Sequence, residues 1–214
     1  MNVVLVGASS SIGRATERAF EAGGHRVTGT SSLDLDLTSD RSIADFASRQ
    51  QDVDALLVLS GVLPGKSLGE YDRAAIDHVM SVNVVGPALL VQAIAPRLRD
   101  GALVLLMSSV SAERGSFDPI YAASKAALSG LARSLAVQLA PRVRVNAVAP
   151  ALVEGSAMAE AMPPARRALH AERALVKRLM TVDEVGGLLT QLCSPAWASV
   201  SGQVIRVDGG SAFI

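Results

Sequence analysis

The chain is poor in the residues that mark several functional classes. It has one cysteine, Cys193, so no disulfide can form within it, and a reducing compartment, the cytoplasm, is the expectation. Its three histidines, His25, His78 and His170, fall at no metal-ligand spacing, and no metal site is expected. Aromatic residues make up only 3% of the chain although 50% of it is hydrophobic, so the core must be aliphatic, as where helices pack on a parallel sheet of Val, Leu and Ile. Net charge is absent as well. The 20 Lys and Arg balance 20 Asp and Glu, which argues against a nucleic-acid partner. No basic region or cleavage site accompanies the first apolar stretch, and apolar runs such as 101–107 are far too short to span a bilayer, so no membrane partner is expected. The 214 residues fit one α/β domain, 1–214, with a sizeable core.

What is present is an alternation of short β-branched runs with longer helical stretches, the pattern of repeated βαβ units. Residues 3–6, 26–30, 33–37, 55–59, 102–107, 144–148 and 203–207 read as strands, enough for a Rossmann-type doubly wound α/β fold with a seven-stranded, mainly parallel sheet and helices on both faces. Helices are expected over 12–22, 39–49 behind a Thr38 cap, 71–98, 120–139 and 182–192 behind a Thr181 cap. Between the second and third strands there is no room for a helical crossover. The stretch 151–180 differs in character, with Met158, Met162 and a basic series, Arg166, Arg167, Arg173, Lys177 and Arg178. It reads either as a lid over a substrate pocket or as a solvated amphipathic helix pair.

After the first strand comes Gly7-Ala8-Ser9-Ser10-Ser11-Ile12-Gly13, leading straight into a helix. Such a turn brings backbone N–H groups to a helix N-terminus, where a pyrophosphate is favoured; ordinary strand-to-helix turns have the same composition. Tyr121 and Lys125, four apart at the start of a helix, emerge on one face. A phenol of pKa about 10 is a poor acid-base catalyst at neutral pH, and a nearby ammonium stabilises its phenolate. Ser108 and Ser109 close a run of Leu and Val at the carboxyl edge of a central strand, where ligands of open α/β sheets bind, although serines at strand ends are usually turn formers. Asn83 lies inside a predicted helix, which is mildly unfavourable and calls for a reason.

Together these motifs resemble the short-chain dehydrogenase/reductase family along the whole chain. The glycine turn is similar to its cofactor loop, with Ser11 in place of the usual middle glycine and Val6 in place of the usual threonine. The resemblance implies a catalytic set of Asn83, Ser109, Tyr121 and Lys125, with Ser108 an alternative to Ser109 because the following loop is one residue shorter than the commonest form. In that set Tyr121 exchanges the proton and Ser109 hydrogen-bonds the reacting oxygen. Lys125 holds the nicotinamide ribose and depresses the tyrosine pKa, while Asn83 positions a water reaching Lys125.

Cofactor contacts are implied at Gly7, Ser9, Ser10, Ser11, Ile12 and Gly13; at Thr30, Ser31 and Ser32; at Asp36 and Leu37; at Ser60 and Gly61; at Tyr121 and Lys125; and at Pro150, Val153 and Ser156. At the fourth strand the family has Asn-Asn-Ala-Gly where this chain reads Val58-Leu59-Ser60-Gly61. The ending 201–210 is similar to the family's last strand, a frequent subunit contact, so a homodimer or homotetramer is expected. The implied reaction is hydride transfer between a nicotinamide cofactor and a small carbonyl or alcohol compound.

NADP(H) is expected over NAD(H), because Ser31 stands where NAD enzymes place a carboxylate; Asp34 is close enough to reverse this. Two other readings stay open. One is a non-catalytic cofactor-sensing or scaffold protein. The other is a 3-oxoacyl-carrier-protein-type reductase that docks its acidic carrier on the run from Arg166 to Arg178.

Overall fold

The computed structural model describes residues 1–211. The chain begins with strand β1, Asn2–Val6, helix α1, Ser11–Ala22, and strand β2, Arg26–Thr30. Helix α2, Asp40–Ser48, and strand β3, Val53–Val58, follow. Helix α3, Arg73–Met80, runs through a π-turn, Ser81–Val85, into α4, Gly86–Ile94. Strand β4, Leu98–Met107, leads through the short α5, Ser111–Arg114, to the long α6, Pro119–Leu139, and β5, Val143–Pro150. The last part holds β6, Val153–Glu154, α7, Ala157–Glu160, α8, Pro164–Arg173, β7, Met180–Thr181, α9, Val182–Leu192, and β8, Val204–Val207.

The main sheet is parallel throughout, in the order β2-β1-β3-β4-β5-β8. Strand alternation divides its apolar residues between two layers. Val4, Val6, Leu56, Val58, Val104 and Leu106 pack with Ile43, Phe46, Leu90, Ile94 and Leu128 of α2, α4 and α6. Val3, Leu5, Leu57, Leu103 and Leu105 pack with Phe20 of α1 and Val185 and Leu189 of α9 on the other face. Crossover helices on both faces bring the carboxyl ends of the strands, and the loops that follow them, to one edge.

The sheet has six strands, not the expected seven. Segment 33–37 alternates Leu and Asp as an edge strand would, yet it forms turns. Asp34 accepts from the Ser31 N–H and hydroxyl at 2.8 and 2.7 Å, and Asp36 accepts from the Thr38 N–H and hydroxyl at 2.8 and 2.7 Å. These local side-chain bonds satisfy the backbone in place of a ladder. Leu35 and Leu37 still reach the core, whereas Leu33 is 96% exposed. The chain therefore passes from β2 directly to α2, which Ser39 rather than Thr38 caps, accepting from the Ser42 N–H at 3.2 Å.

The expected helix over 71–98 is real but interrupted by the π-turn. By length and mean hydropathy, 1.6, the run Arg73–Arg97 meets the composition of a membrane span. Its residues Val79, Leu90, Val91 and Ile94 are nonetheless fully buried against the protein's own core.

Candidate active site

The glycine turn, the ends of β3, β4 and β5 and segment 151–173 enclose a cavity of about 1120 Å³. At one end, Ser10 caps α1, its Oγ accepting from the Gly13 N–H at 2.9 Å. Gly13 has no alternative there, since a Cβ would lie 2.2 Å from the Gly7 carbonyl oxygen. Ser9, Ser10, Ser11 and Ile12 line the cavity, as does Arg14, whose guanidinium folds back onto the Ser9 carbonyl. Arg14 is the cation that the turn contributes, and sequence reasoning missed it.

At the centre, Asp118 and Pro119 start α6 and set Tyr121 and Lys125 one turn apart on its buried face. Tyr121 is 8% exposed and Lys125 3% exposed, and both line the cavity with Ser108 and Ser109. Burial raises the Tyr121 phenol above its ordinary pKa; the Ser109 hydroxyl, within hydrogen-bonding reach, opposes that rise, and the Asp118 charge adds to it.

Lys125 Nζ donates to the Met107 carbonyl at 2.7 Å and sits 5.7 Å from the centre of the Tyr121 ring. Burial brings its own pKa down to about 8.

The two serines separate clearly. Ser108 Oγ bonds the Lys125 carbonyl at 2.8 Å and Ser129 Oγ at 2.9 Å, which ties β4 to α6. Ser109 Oγ accepts from the Ser111 N–H at 3.1 Å, and its hydroxyl acts on the Tyr121 phenol.

Asn83 is buried in the π-turn. Its Oδ1 accepts from the Val62 N–H at 2.7 Å, and its Nδ2 donates to the Val62 carbonyl at 3.0 Å and to Ser124 Oγ at 2.9 Å. The side-chain amide is thus engaged with protein partners. It clamps the segment after Gly61, where a Cβ would lie 3.0 Å from Lys125 Nζ.

Asp118, also missed, is buried and joins four donors. It takes the Tyr121 N–H at 2.9 Å and the Tyr71 hydroxyl at 2.7 Å on Oδ1, and the Gly65 and Lys66 N–H groups at 3.0 and 3.3 Å on Oδ2. An Asp just before a Pro at a helix start was a legible capping signal.

Gly61, Pro150, Val153 and Ser156 also line the cavity, and the Ser156 hydroxyl caps α7. Gly7, Gly13, Thr30, Ser31, Ser32, Asp36, Leu37, Ser60 and Asn83 do not line it. Two of these nevertheless bear on a dinucleotide. Thr30 Oγ1, on the last residue of β2, and Ser60 Oγ, two positions after β3, belong to the strands on either side of β1 and are buried hydroxyls without a hydrogen-bond partner among the described residues. Unsatisfied hydroxyls at the carboxyl edge of a parallel sheet, beside a helix N-terminus, are what a bound adenosine and pyrophosphate would complete. The residues present therefore fit a nicotinamide dinucleotide.

The family model described as Enoyl-(Acyl carrier protein) reductase matches residues 28–212. The chain belongs to the short-chain dehydrogenase/reductase family. It is 35% identical over 145 residues to the pig protein named dehydrogenase/reductase SDR family member 4, which covers 64% of this chain but 50% of that relative; the chain thus spans about half the relative's length. It is 29% identical to the cyclic-di-GMP-binding biofilm dispersal mediator protein of Escherichia coli K12, across 97% of this chain and 95% of that one. Among solved structures, BdcA in complex with NADPH superposes with a TM-score of 0.90 at 28% identity, covering 98% of this chain and 93% of that one.

Proposed function

We propose that the protein is a nicotinamide-dependent oxidoreductase that interconverts a carbonyl and an alcohol. The observation that carries this reading is the convergence of the Ser109 and Tyr121 hydroxyls with the Lys125 ammonium in a largely apolar cavity that begins at a phosphate-type helix N-terminus. A bound nicotinamide would supply or accept the hydride. Tyr121, whose burial favours the neutral phenol, gives its proton to the carbonyl oxygen during reduction and is left as the phenolate; oxidation runs the same transfer backwards, the phenolate taking the alcohol proton. Ser109 donates to the same oxygen as charge develops on it. Lys125, fixed by Met107, would hold the ribose of the bound nicotinamide through its remaining N–H donors. Asn83 and Asp118 act through others, holding the loop 62–66 and the start of α6 in place.

NADP(H) is the preferred cofactor in this reading. Arg14 brings a cation to the cavity, no carboxylate replaces Ser31 itself, and the BdcA structure contains NADPH. Asp34, bonded to Ser31 but not lining the cavity, is the group that opposes a 2′-phosphate. Assembly as a homodimer or homotetramer is part of the proposal, supported by the position of β8 at the sheet edge.

The name of the E. coli relative favours a second reading, a nucleotide-binding mediator without turnover. Mixing the protein with NADPH and a panel of aldehydes and diketones separates the two. Consumption of reduced nicotinamide that depends on both protein and carbonyl supports the enzyme; thermal stabilisation by NADPH without consumption supports the mediator.

A further inference from the structure

The substrate end of the cavity is built differently from its cofactor end. Residues Val110, Phe117, Leu152, Met158, Met162 and Leu169 give it an apolar wall. Into that wall are set Arg114 from α5 and Arg166, His170 and Arg173 from α8. On α8 the three recur at the spacing of one helical face, with Leu169 between them, so a single stripe looks into the cavity. Arg114 comes from more than fifty positions earlier in the chain, which is why the cluster is invisible as a sequence motif.

These cations lack the carboxylates that usually accompany arginines. The ion pairs among the described residues use Arg18, Arg41, Arg73, Arg99, Arg178 and Arg206, and none involves Arg114, Arg166 or Arg173. Among the described residues, the one carboxylate lining the cavity, Asp118, is already committed to four donors. Each of the three guanidinium groups also stands close enough to His170 to act on it, since its pKa is lowered first by burial and then by Arg114, Arg166 and Arg173. A chain with zero net charge has therefore gathered unpaired positive charge at one wall of one cavity, an arrangement that repels itself until an anion enters.

Resting on the oxidoreductase reading, we propose that the substrate is a small carbonyl or alcohol compound carrying an anionic group, carboxylate or phosphate. Arg114, Arg166, His170 and Arg173 hold that group while Ser109 and Tyr121 engage the reacting oxygen. Guanidinium groups suit either anion, because their planar donors match both.

A basic strip for an acidic carrier protein is the competing use of the same helix. The run from Arg166 to Arg178 does not form one continuous face, however. Arg178 pairs with Glu184, Lys177 turns to the Glu172 carbonyl, and Arg167 does not line the cavity.

Matched substrates test the proposal. With NADPH, the kcat/KM of para-formylbenzoate is expected to exceed that of its methyl ester, or that of dihydroxyacetone phosphate to exceed that of dihydroxyacetone, by about tenfold or more, as expected for losing one hydrogen bond to a charged group. The pair that shows the preference identifies the anion. Arg166→Gln and Arg173→Gln should bring that ratio to within threefold of one, Arg166→Lys should restore part of it, and Arg167→Gln should leave it as in the wild type. Neutral compounds equal to or better than the anions in both pairs would overturn the proposal. So would a ratio untouched by Arg166→Gln and Arg173→Gln together, or one untouched by Arg166→Glu when that variant slows reduction of a carrier-bound 3-oxoacyl thioester.

Calorimetric titration of para-formylbenzoate and of dihydroxyacetone phosphate into the NADPH-loaded protein keeps this inference separate from the reading it rests on. If no carbonyl consumes NADPH, the oxidoreductase reading fails. Binding of either anion, weakened about tenfold by Arg173→Gln, then still supports the anion site, and absence of binding of both overturns it.

Discussion

The Lys125 ammonium donates to the Met107 carbonyl at 2.7 Å, so the last residue of β4 anchors the one lysine buried beneath the cavity. The position of that charge follows from the strand and the helix together. It also carries a measurable cost, because burial lowers the lysine pKa from 10.5 to about 8.

The cost gives a stability prediction with a definite sign. Below pH 8 both folded and unfolded chains carry the lysine proton, and the desolvation penalty is fully present. Between about 8 and 10.5 the unfolded chain keeps the proton that the folded chain has released, so stability rises with pH. Urea titrations at pH 7 and pH 10.5 should show the wild type gaining on the order of 3 kcal/mol relative to Lys125→Met over that window. A difference between the two proteins that does not change with pH would contradict the buried charge.

Asn83 predicts a different kind of loss. Replacing it by Leu strands the Val62 N–H and carbonyl and the Ser124 hydroxyl inside the protein. A destabilisation of roughly 2–4 kcal/mol is expected, read as a lower urea midpoint with an unchanged slope. Asn83→Asp should also be worse than wild type, because a carboxylate cannot donate to the Val62 carbonyl.

Asp118→Ala removes the cap of α6 and the anchor of Gly65, Lys66 and Tyr71 in one step. The helix cap alone is worth about 1 kcal/mol. The expected signature is a fall in kcat larger than stability alone explains, since Tyr121 is the residue whose backbone the cap receives. Asp118→Asn, which keeps an acceptor, should recover much of the stability.

The proposed preference for NADP(H) sets Arg14 against Asp34. Asp34→Asn should raise the ratio of NADPH to NADH affinity about tenfold, and Arg14→Gln should lower it by a similar factor, both measured by fluorescence titration. Tighter binding of NADH than NADPH by the wild type would reverse the cofactor assignment.

How much of this was legible in the sequence differs by residue. The buried strands 55–59, 102–107 and 144–148 were readable because runs of Val, Leu and Ala admit few other structures there; Tyr121 and Lys125 stood out by their spacing, whereas Ser109 came only from the family resemblance, with Ser108 open beside it. Segment 33–37 was misread because its period of two matches a strand; the two Asp side chains that fold it into turns compete over only two or three residues, which periodicity does not register. Asn83 stood out as an oddity, but its partner Val62 lies 21 positions away and only the fold supplies it. The same holds for Arg114 beside α8, since the pattern of one helix says nothing about what a distant loop brings to it.

The most direct test of the central claim is the rate of NADPH consumption with a good carbonyl substrate, compared between wild type and Tyr121→Phe. The phenol's proton is the one the reaction needs, so turnover should fall by about 10² or more while calorimetric affinity for NADPH stays within several-fold of wild type. Turnover within threefold of wild type would contradict the account.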